Sequence, residues 1–180
     1  VAGATILETA RLLLREWTLD DVDAFARIYA DPEVMRHVGN YRPRTRDETI
    51  ERKRKSLRHY AEHGFGMWAV CLRPGGEVIG RCGLEYLPGQ ATPEVEIGWL
   101  LAREHWGRGL ATEAAKATLG YGFAVLRLPR IVARAIPSNT ASIRIMEKLG
   151  MKPSRTVDAN GEEMVLYAVE RAEWGVEGSG

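Results

Sequence analysis

Glu94-Val95-Glu96-Ile97-Gly98-Trp99-Leu100-Leu101 runs through Ala102-Arg103-Glu104-His105-Trp106 into Gly107-Arg108-Gly109-Leu110-Ala111-Thr112-Glu113-Ala114. The first block reads as a strand and the second as a loop. From Leu110 onward Ala114, Ala117, Tyr121, Ala124 and Val125 recur at helical spacing, so a long helix starts directly after the glycines. Gly107 and Gly109 carry no side chains, so backbone amides can approach a bound group closely, and the first free N–H groups of the helix point the same way. That geometry suits phosphate, and the helix dipole adds to the attraction. Arg108 places a mobile positive charge at the rim. Two familiar phosphate motifs are absent: the dinucleotide fingerprint needs a third glycine, and the P-loop needs Lys then Ser or Thr after its last glycine. A bare Gly-x-Gly is also a plain tight turn with a helix cap, so its neighbours decide.

Upstream, Met67 to Leu72, Val78 to Leu87 and Glu94 to Leu101 read as three strands of an antiparallel meander with Pro/Gly-rich turns. Before them, Arg11 to Trp17 reads as a first strand. Thr18 caps a helix with Asp20 and Asp21 in its early turn, and this helix ends before Pro32. Thr45 and Glu48 form a capping-box pattern that opens a helix to about Glu62, stopped by Gly64. Downstream, Pro129 ends the long helix and Arg130 to Ile136 is a strand. Ser138 to Leu149 is a short helix with Gly150 as its left-handed end. Lys152 to Asp158 and Glu163 to Ala168 are strands joined at Ala159-Asn160-Gly161, a strong hairpin signal. The order βαα-βββ-αβα-ββ predicts an α+β domain.

The 180 residues, 45% of them hydrophobic and 8% aromatic, suffice for one core. A single domain over 1–180 is expected, with its core at about 6–174 and a frayed tail at Gly175 to Gly180. With 25 basic and 24 acidic residues the net charge is +1, which gives no footprint for DNA. No window approaches the roughly 18 apolar residues of a membrane helix, and Val1 to Thr9 lacks the pattern of a signal peptide. A soluble, cytoplasmic protein is expected. If Arg73 pairs with Glu77 across the turn, Cys71 faces Ile79 and Cys82 faces Trp68, so no disulfide forms. His37, His59, His63 and His105 are scattered, and no metal is expected.

Three segments together resemble the GNAT superfamily of acyl-CoA N-acyltransferases, within it the ribosomal-protein N-acetyltransferase branch of RimJ/RimL type. They are Thr9-Ala10-Arg11-Leu12-Leu13-Leu14-Arg15, Glu96-Ile97-Gly98-Trp99 through Glu113-Ala114, and Asn139-Thr140-Ala141-Ser142 with Glu147-Lys148-Leu149-Gly150-Met151. The pyrophosphate motif of that superfamily falls on Trp106 to Ala111, with Trp106 in place of the leading Arg or Gln. The resemblance implies a mixed, mostly antiparallel sheet of about seven strands, splayed between the strand ending at Leu101 and that at Arg130 to Ile136. It also implies acetyl-CoA as co-substrate, held by Trp99, Leu100, Leu101, Trp106, Gly107, Arg108, Gly109, Leu110, Ala111, Thr112, Asn139, Ser142 and Lys148. For Asn139 a helix cap, and for Lys148 a solvated surface position, are the alternative readings.

The implied reaction is direct attack of an amine on the thioester, the acceptor being a protein or peptide N-terminal α-amine. Such amines arrive protonated and need a base. Glu96 is the leading candidate, with Glu94 on the same strand face and Glu85 on the preceding strand as further candidates for base or amine binding. Each is otherwise a solvated strand carboxylate. A backbone N–H near Leu100 is implied as oxyanion donor, and Ser142 as hydrogen-bond donor to the departing thiolate. Trp17, Tyr41, Phe65 and Trp68 either line the acceptor groove or pack the core. The basic block Glu51-Arg52-Lys53-Arg54-Lys55 with Arg58 is a solvated helix face or a steering surface. The competing functions are acetylation of a small amine (polyamine, amino acid or antibiotic) and a non-catalytic acyl-CoA sensor. Covalent transfer through Cys71 or Cys82 lacks an activating partner. A monomer or homodimer would serve equally.

Overall fold

A computed structural model describes residues 3–87, 92–159 and 161–175. Its elements are β1 Thr5–Glu8, β2 Leu12–Arg15, α1 Val22–Ala30, α2 Pro32–Met35, α3 Arg46–His63, β3 Met67–Leu72, β4 Val78–Tyr86 and β5 Val95–Leu101. They continue with α4 Leu110–Ala124, β6 Arg130–Ala135, α5 Thr140–Lys148, β7 Lys152–Ala159 and β8 Glu162–Glu170. One eight-stranded sheet has the order β1-β2-β3-β4-β5-β6-β8-β7. Adjacent strands are antiparallel except β5 and β6, which are parallel and share a single register pair, Glu96 with Val132. Past that pair the two strands part toward their C-terminal ends, and the sheet opens there.

The helix boundaries have local causes. In α3 the Thr45 hydroxyl accepts from the Glu48 N–H at 3.2 Å while the Glu48 carboxylate accepts from the Thr45 N–H at 2.8 Å, and Gly64 closes the helix at φ 76°. Pro32 does more than end α1. Asp31 caps the Glu33 N–H, and proline, whose φ is already helical, starts α2.

Alternation along the strands divides the side chains between two layers. Leu12, Leu14, Trp68, Cys82, Leu84, Ile97 and Leu101 pack under α4 and α5. Ala69, Cys71 and Leu100 pack with Trp17, Phe25, Tyr29 and Met35 on the side covered by α1 to α3. There, Arg15 donates to both oxygens of Asp21, at 2.8 and 2.6 Å, and Lys53 lies 4.3 Å from the centroid of the Trp17 ring.

Two expectations need correction. An eighth strand, β1, precedes the first one read from the sequence; it is short, at the sheet edge and largely exposed, so it carries no alternating apolar signal. The register slips between Val70 and Cys71, which puts Cys71 opposite Val78 instead of Ile79, although Cys82 does face Trp68. Both thiols are free and buried. The Asn160 turn residue and positions 176–180 of the expected tail lie outside the described residues. Among the described residues no helix is long and apolar enough to cross a membrane, and no cluster of metal-ligating side chains occurs.

Candidate active site

The glycine turn is held from both sides. Trp106 Nε1 donates to the Leu101 carbonyl at 2.9 Å and folds the loop back onto the end of β5. Gly107 and Gly109 sit at φ 69° and 76°, in the left-handed region where an L side chain is strained. Gly109 is the N-cap of α4 and no side chain caps that helix, so its first amides remain available to an anion. The distant β1–β2 connection anchors the turn. Thr9 Oγ1 donates to Glu113 at 2.6 Å, Arg11 Nε donates to the other Glu113 oxygen at 2.7 Å, and Arg11 Nη1 donates to the Arg108 carbonyl at 3.0 Å.

A cleft of about 440 Å³ runs from this turn to the opening between β5 and β6. Trp99, Leu100 and Leu101 form its wall on the sheet, Trp106, Gly107, Gly109, Leu110, Ala111 and Thr112 its turn end, and Asn139, Ser142 and Lys148 its α5 side. Of the expected cofactor residues only Arg108 is not on the lining. Its side chain is exposed and donates from Nη1 to Nδ1 of the buried His105 at 3.0 Å. Asn139 acts as the cap of α5, its Oδ1 accepting from the Ser142 N–H at 3.2 Å. That bond also fixes Ser142 at the cleft.

Sequence reading missed the opposite wall: Glu33, Val34, Arg36, His37 and Val38, from α2 and the residues after it. His37 is held below the usual histidine range by burial and by Arg36, so it is neutral near pH 7, and its buried Nδ1 has no hydrogen-bond partner. The one available signal was Asp31-Pro32, a cap followed by a helix-starting proline.

The carboxylates lie on the other face of the sheet. Glu96 is half-buried and accepts from Arg134 Nε at 2.9 Å and Nη2 at 3.4 Å. Burial nonetheless holds it above the ordinary carboxylate range, since Arg134 offsets only part of the desolvation and the facing Glu85 adds repulsion. Glu85 accepts from Arg52 at 2.9 Å. Glu94 is turned away, to Arg155 and Arg130. Tyr41, at φ 60°, senses Arg134 and Glu162, and burial first and Glu162 second raise its hydroxyl. Trp68 is 0% exposed and packs edge-on against Tyr121 in the α4 layer, so it belongs to the core and not to an acceptor groove; Trp17 and Phe65 are core residues too.

A splayed parallel pair facing an uncapped, glycine-started helix is a cradle for a long anionic ligand with amide groups along its arm. Residues 11–152 match the family described as Acetyltransferase (GNAT) domain. The chain belongs to this GNAT family. It is 33% identical over 166 residues to YkkB of Bacillus subtilis, covering 91% of this chain and 94% of the relative. It is 33% identical over 147 residues to the Bacillus subtilis N-acetyltransferase YoaA, covering 82% of each. An acetyltransferase from Agrobacterium tumefaciens superposes with a TM-score of 0.80 at 31% identity, over 94% of this chain and 96% of that one. RimL, a ribosomal L7/L12 α-N-protein acetyltransferase solved with coenzyme A, shares the fold at a TM-score of 0.78 and 16% identity, over 93% and 98% of the two chains. GNAT acetyltransferases use acetyl-CoA, and the uncapped helix, the two left-handed glycines and the cleft of this member fit that co-substrate.

Proposed function

We propose that the chain transfers the acetyl group of acetyl-CoA to a peptide or protein N-terminal α-amine by direct attack in a ternary complex. The observation that carries this reading is the opening between β5 and β6. Past the paired position β5 carries the cleft residues Trp99 to Leu101, and at that position the same strand carries Glu96, a carboxylate of raised pKa on the opposite face. Gly107, Gly109 and the first amides of α4 hold the pyrophosphate, while Trp99 to Leu101 meet the amide-bearing arm.

The amine nitrogen bonds to the acyl carbon, the carbon–sulfur bond breaks, and the amine proton leaves through Glu96, directly or by way of water. A carboxylate held above its usual range is a stronger base than an ordinary one. A backbone N–H near Leu100 stabilises the charge growing on the carbonyl oxygen, and the Ser142 hydroxyl donates to the departing sulfur. The acceptor-side carboxylates support an α-amine over a polyamine, because Glu85, Glu94 and Glu96 are each already paired with an arginine. A screen of amines and N-terminal peptides with acetyl-CoA, read by mass spectrometry of the product and release of free thiol, tests the reading. Transfer to a peptide α-amine supports it; tight acetyl-CoA binding with no transfer to any amine would make the chain a sensor.

A further inference from the structure

On the sheet face covered by α1 to α3, four arginines surround two carboxylates. Arg134 is spent on Glu96, and Arg52 on Glu85. Arg81 and Arg44 remain, leaving two positive charges in excess. Arg81 is only 9% exposed, yet its Nε has no hydrogen-bond partner. It stands opposite Leu100 on the neighbouring strand, and its guanidinium reaches across β5. A Cβ built on Gly98 would lie 3.8 Å from Arg81 Nη1, which puts the guanidinium beside Gly98; the space over that glycine itself is taken by Met67, whose Cε would be 2.8 Å from the Cβ. Arg44 follows Tyr41 in the connection before α3. It lies 5.1 Å over the Tyr29 ring, and its Nη1 is buried without a partner. Burial, with Arg81 and then Arg52 adding to it, lowers its proton affinity, while Tyr29 and Glu48 offset part of that; Tyr29 and Glu85 favour the charge on Arg81, so the two arginines share one field around Tyr29.

A buried guanidinium cannot shed its charge, and each unmade hydrogen bond to it carries a desolvation cost. The ligand that relieves both is a planar anion matching the guanidinium fork. A carboxylate fits it. A polyamine would add positive charge where there is already an excess. We propose that the acceptor bears a carboxylate close to its attacking amine, and that Arg81 and Arg44 receive it. This rests on the acetyl-transfer reading above. Glu96 and Gly98 are two residues apart on one strand, a span of about 7 Å. Arg81 lies beside Gly98 and is electrostatically coupled to Glu96, so the base and the cation are near enough to serve an amine and a carboxylate on the same residue, as in a free α-amino acid or a peptide beginning with Asp or Glu.

Matched acceptors test it: an α-amino acid against its amide, a peptide starting with Asp against one starting with Asn, and spermidine, each assayed by product mass and thiol release. The carboxylate member of at least one pair is expected to show a kcat/KM higher by about tenfold or more, the scale of one charged hydrogen bond. The pair that discriminates names the source. Arg81→Gln and Arg44→Gln should raise KM for that acceptor and bring the paired ratio toward one, with acetyl-CoA still bound by calorimetry. Arg44 lies in a connecting segment, so its variant carries the test if Arg81→Gln does not fold. Equal rates within both pairs, a preference for spermidine, or a ratio unmoved in a folded variant would overturn the carboxylate proposal while leaving acetyl transfer standing. Transfer to no amine at all would overturn both.

Discussion

The two faces of the sheet recognise their ligands by different means. On the α4 and α5 side the turn end of the cleft is built from contiguous backbone: a strand end, two left-handed glycines and the first turn of an uncapped helix. On the other face, side chains from α3, β4, β5, β6 and the segment before α3 converge in paired charges. A backbone site has no side chain whose loss would empty it, so it fails only when the backbone is strained. A side-chain site fails residue by residue. The two should therefore separate under mutation, one moving cofactor affinity and the other the rate and the choice of acceptor.

The largest expected effect lies on the charged face. Glu96→Gln should slow transfer by about a hundredfold or more, the usual contribution of a general base. In the wild type, kcat/KM should fall as pH drops through a pKa above the ordinary carboxylate value, in the direction that burial shifts Glu96. The variant should lose that limb of the profile. An unchanged limb would move the role of base to another group, with the neutral His37 across the cleft as the first to examine.

Next in size is Gly109→Val. Forcing φ 76° on a β-branched residue costs about 1 to 3 kcal/mol, and relaxing it turns the first amides of α4 away from the ligand. Acetyl-CoA affinity should fall by roughly a hundredfold, with two charged hydrogen bonds lost at about 1.5 kcal/mol each. Normal binding by a folded variant would take the pyrophosphate away from this turn.

This contrast also explains what could be read before the structure. Gly107-Arg108-Gly109 and the helix after it are local, and the capping pair Thr45 and Glu48 set the start of α3 as expected. The partners of the carboxylates were not legible, because Arg134 reaches Glu96 across 38 positions and Arg52 reaches Glu85 across 33. Nor was the role of Trp68, since five of the six residues of β3 are buried and alternation does not tell one face from the other. The four residues of α2 were too few for a periodic signal, and with them went the far wall of the cleft.

Ser142 belongs to the cleft yet is proposed to act on the reaction, so Ser142→Ala should separate rate from affinity. A hydrogen bond to a developing thiolate is worth about 1.5 to 3 kcal/mol, a loss of roughly ten- to a hundredfold in rate with little change in acetyl-CoA affinity. Equal losses in rate and binding, from transient kinetics and calorimetry, would make the serine a cofactor contact only.

The smallest effect is on stability. Lys53, 1% exposed with no hydrogen-bond partner at Nζ, has its pKa pushed down to about 7 by burial. Between pH 7 and the unperturbed 10.5 the unfolded chain binds more protons, so stability should rise with pH across that window. Below pH 7 both states are protonated and the full cost of the buried ammonium remains. Lys53→Met should stabilise the protein by about 1 to 2 kcal/mol at pH 6 and flatten that rise. Urea midpoints at pH 6 and pH 9.5 give the answer, and parallel pH dependence in the two proteins would contradict it.

The division between the faces is tested most directly by titrating acetyl-CoA calorimetrically into wild type, Glu96→Gln and Gly109→Val side by side. Glu96→Gln should bind as the wild type does, and Gly109→Val should lose affinity while remaining folded. Equal weakening in both variants, or loss in Glu96→Gln alone, would contradict it.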